Sequence, residues 1–215
     1  MELFTYFRSS AAYRARIVLN LKGLKADFRF VHLVKDGGQQ HTPEFKAVNP
    51  QCFIPALVDG GHTITQSLAI AEYVDEIHPE PPLLPKDPAA RARVRALALV
   101  VACDIHPLTN QRILKYLEKE YALDEAQRKR WIQHWVTEGF GPLEKLLADD
   151  LATGKCCHGD TPTIADVFLV PQMFSARRFD TDLSPFPTLQ RINEHCLTLK
   201  AFIDAAPDKQ PDFET

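Results

Sequence analysis

Apolar and polar positions divide the chain into two stretches of different rhythm. It opens on a strand-length apolar run, Leu3-Phe4-Thr5-Tyr6-Phe7. Arg8-Ser9-Ser10 interrupts the run, and Ile17, Val18 and Leu21 then recur at helical spacing. The pattern predicts a strand turning into a helix over 11–22, stopped by Gly23. Residues 27–32 alternate polar and aromatic side chains, as a half-buried strand does. A crossover of that length predicts that the two strands run parallel. A short helix is expected over 43–48, ended by Asn49-Pro50. Two apolar runs, 54–58 and 62–65, flank Asp59-Gly60-Gly61 and predict a β-hairpin. Leu68, Ile70, Ala71, Val74 and Ile77 then place a helix over 67–77. The first stretch is therefore β-α-β-α-β-β-α.

Proline is dense from His78 to Pro88, which predicts a linker at 81–88. Beyond it the strand rhythm disappears. Helices are expected over 89–99 and on toward Pro107, then over 110–119 and 124–147, with Gly139 and Gly141-Pro142 bending the last. Thr163-Ile164-Ala165-Asp166 has the form of a capping box and opens an apolar helix over 167–176, bent at Pro171. A last helix is expected over 189–205 and a frayed tail over 207–215. The expected domains are 1–80 and an all-helical 89–215.

Composition narrows the function classes. The 215 residues are 45% hydrophobic, enough for a sizeable core. With 28 acidic and 25 basic residues there is no electrostatic footprint for nucleic acid. No apolar run reaches membrane-spanning length, and the first residues lack the basic start of a signal peptide. Five scattered cysteines without a C-x-x-C pair suit a reducing, cytoplasmic setting. Cys156-Cys157-His158 lacks a second ligand pair at zinc spacing, so no metal is expected.

The chemistry concentrates at Arg8-Ser9-Ser10. A helix start offers free N–H groups and partial positive charge, which favour an anion such as a thiolate. An ordinary serine N-cap is the competing reading, and the stretch alone favours it.

Taken with the rest of the chain, these features resemble the zeta-class glutathione transferases. Ser9-Ser10-x-x-x-Arg14-x-Arg16-Ile17 is similar to the class signature, and Gln66-Ser67-Leu68-Ala69-Ile70 to the γ-glutamyl-binding motif. Asp36-Gly37-Gly38-Gln39-Gln40, Asn49-Pro50, Ile54-Pro55, Gly159-Asp160 to Asp166, and Leu169-Val170-Pro171-Gln172 leading to Arg178-Phe179 follow in matching order. The resemblance covers nearly the whole chain. It implies a thioredoxin-like α/β domain followed by an all-α domain, and a homodimer. It implies a cis–trans isomerase of maleylacetoacetate with glutathione as a returned cofactor. The alternatives are maleylpyruvate isomerisation and action on α-haloacids. Ser9 is the first choice as donor to the sulfur, with Ser10 second, and by the same resemblance Ile54 offers its backbone to the cysteinyl unit. Gln66 and Ser67 take the γ-glutamyl carboxylate, Gln40 the glycyl end, and His106 and Asn110 approach from the helical domain. Arg8 and Arg178 are the candidates for a dicarboxylate substrate, with Arg177 able to exchange roles with Arg178. Arg14 and Arg16 are expected to be structural, pairing with carboxylates along their helix.

The sequence departs from the class pattern in two places. Ala11 stands where many zeta enzymes carry cysteine, so no protein thiol sits at this turn. His106 stands where animal relatives usually have glutamine.

Overall fold

The computed structural model describes residues 1–214 and separates into two compact units. One comprises Met1–Leu83 together with the residues from Leu197 onward; the other is Leu84–Cys196. The second expected domain, 89–215, is thus divided: its last stretch belongs with the first unit.

In the first unit β1 (Glu2–Thr5) is central. It pairs in parallel with β2 (Asp27–Phe30) and antiparallel with β3 (Ala56–Asp59), and β3 pairs with β4 (His62–Thr65), giving the order β2-β1-β3-β4. Leu3 faces Phe28 on one side and Leu57 on the other, and Leu3 and Leu57 are fully buried. Alternation sends Thr5 to the same face as Leu3, where it meets Arg16 of α1 (Ser10–Leu21). Phe4 goes to the other face and packs edge-on against Phe45 of α2 (Pro43–Val48), with ring centroids 5.7 Å apart. The third helix, α3 (Ser67–Ile77), packs beside α1.

Strand β2 is shorter than its alternating pattern suggests, because His32 leaves the ladder to build a turn. Its Nδ1 accepts the backbone N–H groups of Val34 and Lys35. The expected helix over 189–205 is two helices, α9 (Pro187–Cys196) in the second unit and α10 (Lys200–Ala205) in the first. The break falls where Leu199 takes an extended conformation.

Of the tail expected to fray, residues 207–214 are tied down, and Thr215 lies outside the described residues. Residues Pro207–Lys209 form a 3₁₀ turn, and Gln210 Nε2 donates to the carbonyls of Asp204 and Ala206. Helix α10 is itself tied to α1, whose Tyr13, Arg16 and Asn20 donate to the carbonyls of Phe202, Ala205 and Ala201. Satisfied carbonyls replace the solvent exposure that fraying requires.

The second unit is helical: α4 (Pro88–Leu99), α5 (His106–Thr109), α6 (Gln111–Tyr121), α7 (Glu125–Ala148), α8 (Ile164–Arg178) and α9. The apolar helix α8 is buried along most of its length and packs against α4 and α9. The capping box forms at its start. Asp166 Oδ2 accepts from the Thr163 N–H and hydroxyl at 2.8 Å each, and Oδ1 accepts the Cys157 N–H at 2.7 Å. Burial raises the Asp166 pKa while these donors pull it back. Burial also raises the Cys157 thiol well above its usual range, so it stays protonated. Cys156, Asp166 and Cys196 bring possible ligand atoms within 4.8 Å of one another, but the carboxylate is already committed to the cap.

Gly139 and Pro142 do not interrupt α7, which runs as one helix. Gly139 serves packing instead. A π-helical segment, Val100–Ile105, leads into α5, and a Cβ on Gly139 would overlap the Ile105 side chain. Gly139→Ala is therefore expected to destabilise by about 1–3 kcal/mol through overpacking, and in the pair with Ile105→Ala, which removes both overlapping atoms, the loss should be smaller than the sum of the two single losses. Urea unfolding of both single variants and the pair measures this; additivity of the two losses would contradict it.

Candidate functional site

The turn from β1 into α1 places Ser9 and Ser10 at a helix start. Ser9 is the N-cap, and its Oγ accepts the Ala12 N–H at 3.2 Å. That bond uses a lone pair of the hydroxyl and leaves its proton able to donate elsewhere. Capping and thiolate donation are therefore compatible at Ser9. Ser10 occupies the first helical position and is half-buried. No acidic residue lies in the first turn of α1, so the positive end of the helix is not neutralised from within.

Arg16 fixes this turn from beneath. Its Nη1 donates to Thr5 Oγ1 and the Tyr6 carbonyl, and Nη2 donates to the Phe7 carbonyl at 3.1 Å. Burial lowers its pKa to about 10, with Asp212 pulling it back up. The expectation that Arg16 pairs with carboxylates along its own helix is corrected. Its direct partners are carbonyls and one hydroxyl, because the chain end of β1 needs acceptors satisfied there. Arg14 is also buried, and its Nη1 donates to Ser67 Oγ at 3.3 Å. Arg8 is exposed, with its guanidinium 5.0 Å from the centre of the Phe7 ring.

Four further predicted residues, Ile54, Gln66, Ser67 and Gln40, lie in the same unit. The Ile54–Pro55 peptide is cis. The Ile54 side chain shares a core cluster with Tyr6, Phe7 and Ala12. Gln66 precedes α3 with φ +70°, an uncommon region for glutamine, and its Nε2 donates to Gln51 Oε1. Ser67 is buried at the start of α3 and held by Arg14. Gln40 is buried on the loop that His32 and Gln39 tie down, and its Oε1 has no partner. Its side chain folds over Gly38, where a Cβ would stand 2.6 Å from Gln40 Nε2; glycine at φ +106° is required there.

The remaining candidates lie in the second unit. His106 opens α5 directly after the π-helical segment. Asn110 caps α6, its Oδ1 accepting the Ile113 N–H. Arg177 and Arg178 end α8. With the Asn193 amide in its better-satisfied orientation, its oxygen accepts from Arg177 Nη1 and Nη2 at 2.8 and 3.2 Å. Arg177 is thereby engaged with a buried side chain, whereas the Arg178 guanidinium stacks over Phe179 at 5.0 Å. Reading the sequence missed Gln51, Asp212 and Phe213. Only Phe213, an apolar residue in an otherwise polar tail, gave a signal.

A four-stranded mixed sheet with this helix order, followed by a helical unit, defines a thioredoxin-like domain joined to an all-α domain. Residues 1–76 match the glutathione S-transferase N-terminal domain. The chain is 48% identical to a probable maleylacetoacetate isomerase of Vibrio cholerae, over 98% of this chain and 97% of that one. It superposes with TM-score 0.97 on a holo maleylpyruvate isomerase described as a bacterial zeta-class glutathione S-transferase, at 47% identity and full coverage of both chains. A maleylacetoacetate isomerase from Methylobacterium extorquens AM1 with bound malonate and glutathione gives TM-score 0.96 at 40% identity, again covering both chains fully. The chain belongs to the glutathione S-transferase family, within its zeta class.

Proposed function

We propose that this protein is a glutathione-dependent isomerase that converts maleylacetoacetate to fumarylacetoacetate. The observation that carries this reading is the β1–α1 turn, where a guanidinium adjoins two serines at a helix start and no protein thiol is present. The first unit fits glutathione: two helix starts supply N–H donors, and Gln40 offers a buried polar atom without a partner. Bound glutathione supplies the nucleophilic thiolate that a cis–trans isomerisation of a conjugated double bond needs.

The chain's own residues then divide the work. Ser9 and Ser10 donate toward the sulfur, and the helix start favours its charged form. Ile54 presents its backbone to the cysteinyl unit. Gln66 and Ser67 hold the γ-glutamyl carboxylate, and Gln40 takes the glycyl end. His106 and Asn110 are assigned to glutathione by resemblance. Arg8 and Arg178 hold the two substrate carboxylates, and Arg8 also opposes charge that develops on the adjoining carbonyl. In this reading residues 1–80 serve glutathione and the helical unit serves the substrate. A cytoplasmic homodimer is the expected form. Among the described residues no helix is long and apolar enough to cross a membrane, which is consistent with that setting.

Maleylpyruvate is the second reading, favoured by the likeness to the holo maleylpyruvate isomerase. Both substrates place a carboxylate next to a cis double bond. Purified protein is mixed with each maleyl compound and glutathione, and loss of enol absorbance is followed. Absence of glutathione-dependent turnover with either substrate overturns the proposal. Turnover of α-haloacids alone would identify a detoxifying transferase.

Replacing each serine separately assigns the donor. Ser9→Ala is expected to lower stability by about 0.5–2 kcal/mol through loss of the cap, whichever hydroxyl serves the sulfur. The serine whose removal raises the bound-thiol pKa, read from thiolate absorbance at 240 nm, is the donor (the wavelength being roughly where thiolates absorb). If neither variant shifts it, the serines do not activate the thiol. Arg178→Ala should raise KM about tenfold or more, a loss of 1.4 kcal/mol or above. Arg177→Ala should instead act on stability, because it leaves the Asn193 amide oxygen without its donor. Equal KM values for the two variants would remove the distinction.

A further inference from the structure

The residue before Arg8 is held from two sides. The Phe7 carbonyl accepts from Arg16, and the Phe7 N–H donates to Asp212 Oδ2 at 2.9 Å, across 205 positions of sequence. The Phe213 ring meets the Phe7 ring edge-on, with centroids 5.4 Å apart and an interplanar angle of 83°. The Arg8 guanidinium lies over that same Phe7 ring. The next residue, Glu214, binds the loop that follows β2. Its Oε1 pairs with Lys35, and its Oε2 stands 3.6 Å from His32 Nε2. His32 Nδ1 accepts two backbone N–H groups, and Nε2 faces Glu214 and the Tyr6 hydroxyl, the latter 3.4 Å away. Three consecutive side chains after α10 thus contact Phe7 and the loop that carries Gln40.

We propose that Asp212 and Phe213 are positioning residues for Arg8. Asp212 holds the Phe7 backbone and Phe213 holds its ring, so the guanidinium next in sequence starts from a fixed backbone and a fixed aromatic face. Neither residue touches the reacting atoms. Arg16 alone cannot do this, since it grips only the carbonyl side of Phe7 and leaves the N–H side to the tail. A carboxylate is suited to the task because it accepts a strong hydrogen bond from the N–H. It also lies close enough to Arg16 to influence that group electrostatically. This inference rests on the assignment of Arg8 to the substrate, and one arm of its test does not.

The first arm is hydrogen exchange, read by mass spectrometry on peptides covering residues 4–12, in wild type, Asp212→Ala, Asp212→Asn and Phe213→Ala. Asp212→Ala should speed exchange of the Phe7 amide about tenfold or more, since that N–H loses its acceptor. Asp212→Asn keeps an accepting oxygen and should stay near wild type. Phe213→Ala, an exposed position, should shift exchange in the same direction by less. The second arm is kinetic. Asp212→Ala should raise KM for the maleyl substrate about tenfold with kcat within about threefold, and Asp212→Asn should restore most of it. Glutathione affinity by calorimetry should stay within about twofold, because the tail touches none of the proposed glutathione contacts directly. Unchanged exchange in Asp212→Ala overturns the proposal, as does faster exchange with unchanged KM. If Asp212→Ala does not fold, Phe213→Ala decides by the same two readouts. If wild type fails to turn over either maleyl substrate, the assignment of Arg8 fails, and the exchange arm still decides whether the tail holds the turn.

Discussion

Arg8→Ala is expected to lower kcat/KM for the maleyl substrate by about 30- to 5000-fold, the equivalent of the 2–5 kcal/mol lost when one partner of a hydrogen-bonded charge pair is removed. The substrate is a dianion, and a guanidinium matches a carboxylate with two parallel N–H donors while staying charged at every working pH. Arg8→Lys should recover only part of the loss, because an ammonium keeps the charge and loses the fork. Folding should change little. Arg8 is exposed, and its contact with the Phe7 ring is an interaction of about 0.5–1 kcal/mol at such a site. Glutathione binding should also persist, since the serines, Gln66 and Ser67 are untouched. The measurement is a steady-state isomerase assay paired with glutathione calorimetry. If Arg8→Ala keeps kcat/KM within threefold of wild type while glutathione still binds, Arg8 is not the clamp. Weak glutathione binding in the same variant would mean that Arg8 serves the cofactor instead.

The sequence made some parts of this site readable and hid others, and the division follows the range of the interactions. The β1–α1 turn, the hairpin and α3 are set by neighbours a few residues apart, so apolar spacing and Gly60-Gly61 disclosed them. The capping box at Thr163 and Asp166 was legible for the same reason: its two partners are three residues apart. Arg16 was legible as structural but not in its partners, because the Ala205 carbonyl comes from 189 positions away. Asp212 was invisible for the same reason. No local rule marks a carboxylate that accepts a hydrogen bond from the opposite end of the chain. Gly139 gave an incomplete signal. Glycine within a helix suggests a bend, and it does not disclose that the missing Cβ also admits Ile105, a contact that helical periodicity does not encode. The choice between Arg177 and Arg178 was open in sequence because both end the same helix. The structure shows Asn193, on a different helix, engaging Arg177.

Asp75→Ala should produce the largest loss of stability of any single change considered, about 3–5 kcal/mol, from leaving a buried charge without its partner. The Lys22 side chain is wholly buried at the end of α1, and its ammonium lies 2.6 Å from Asp75 Oδ1 on α3. It also donates to the Pro81 carbonyl, and the same Asp75 oxygen accepts the Leu83 N–H at 2.8 Å. One carboxylate thus joins two helices to the proline-rich segment. Removing it leaves the buried Lys22 ammonium with the Pro81 carbonyl but no counter-charge, and takes the acceptor from the Leu83 N–H. For a chain of this size the loss corresponds to a fall in Tm of about 6–20 °C. Asp75→Asn should lie between, since it keeps an acceptor for both donors and removes the charge that balances Lys22. The pair Lys22→Met with Asp75→Leu is the discriminating control. Replacing both ions by apolar side chains removes the desolvation cost along with the attraction, so the double variant should be more stable than Asp75→Ala. Thermal and urea unfolding of the four proteins give the comparison. A double variant no more stable than Asp75→Ala would mean that Asp75 acts through Leu83 and the linker backbone rather than by neutralising Lys22.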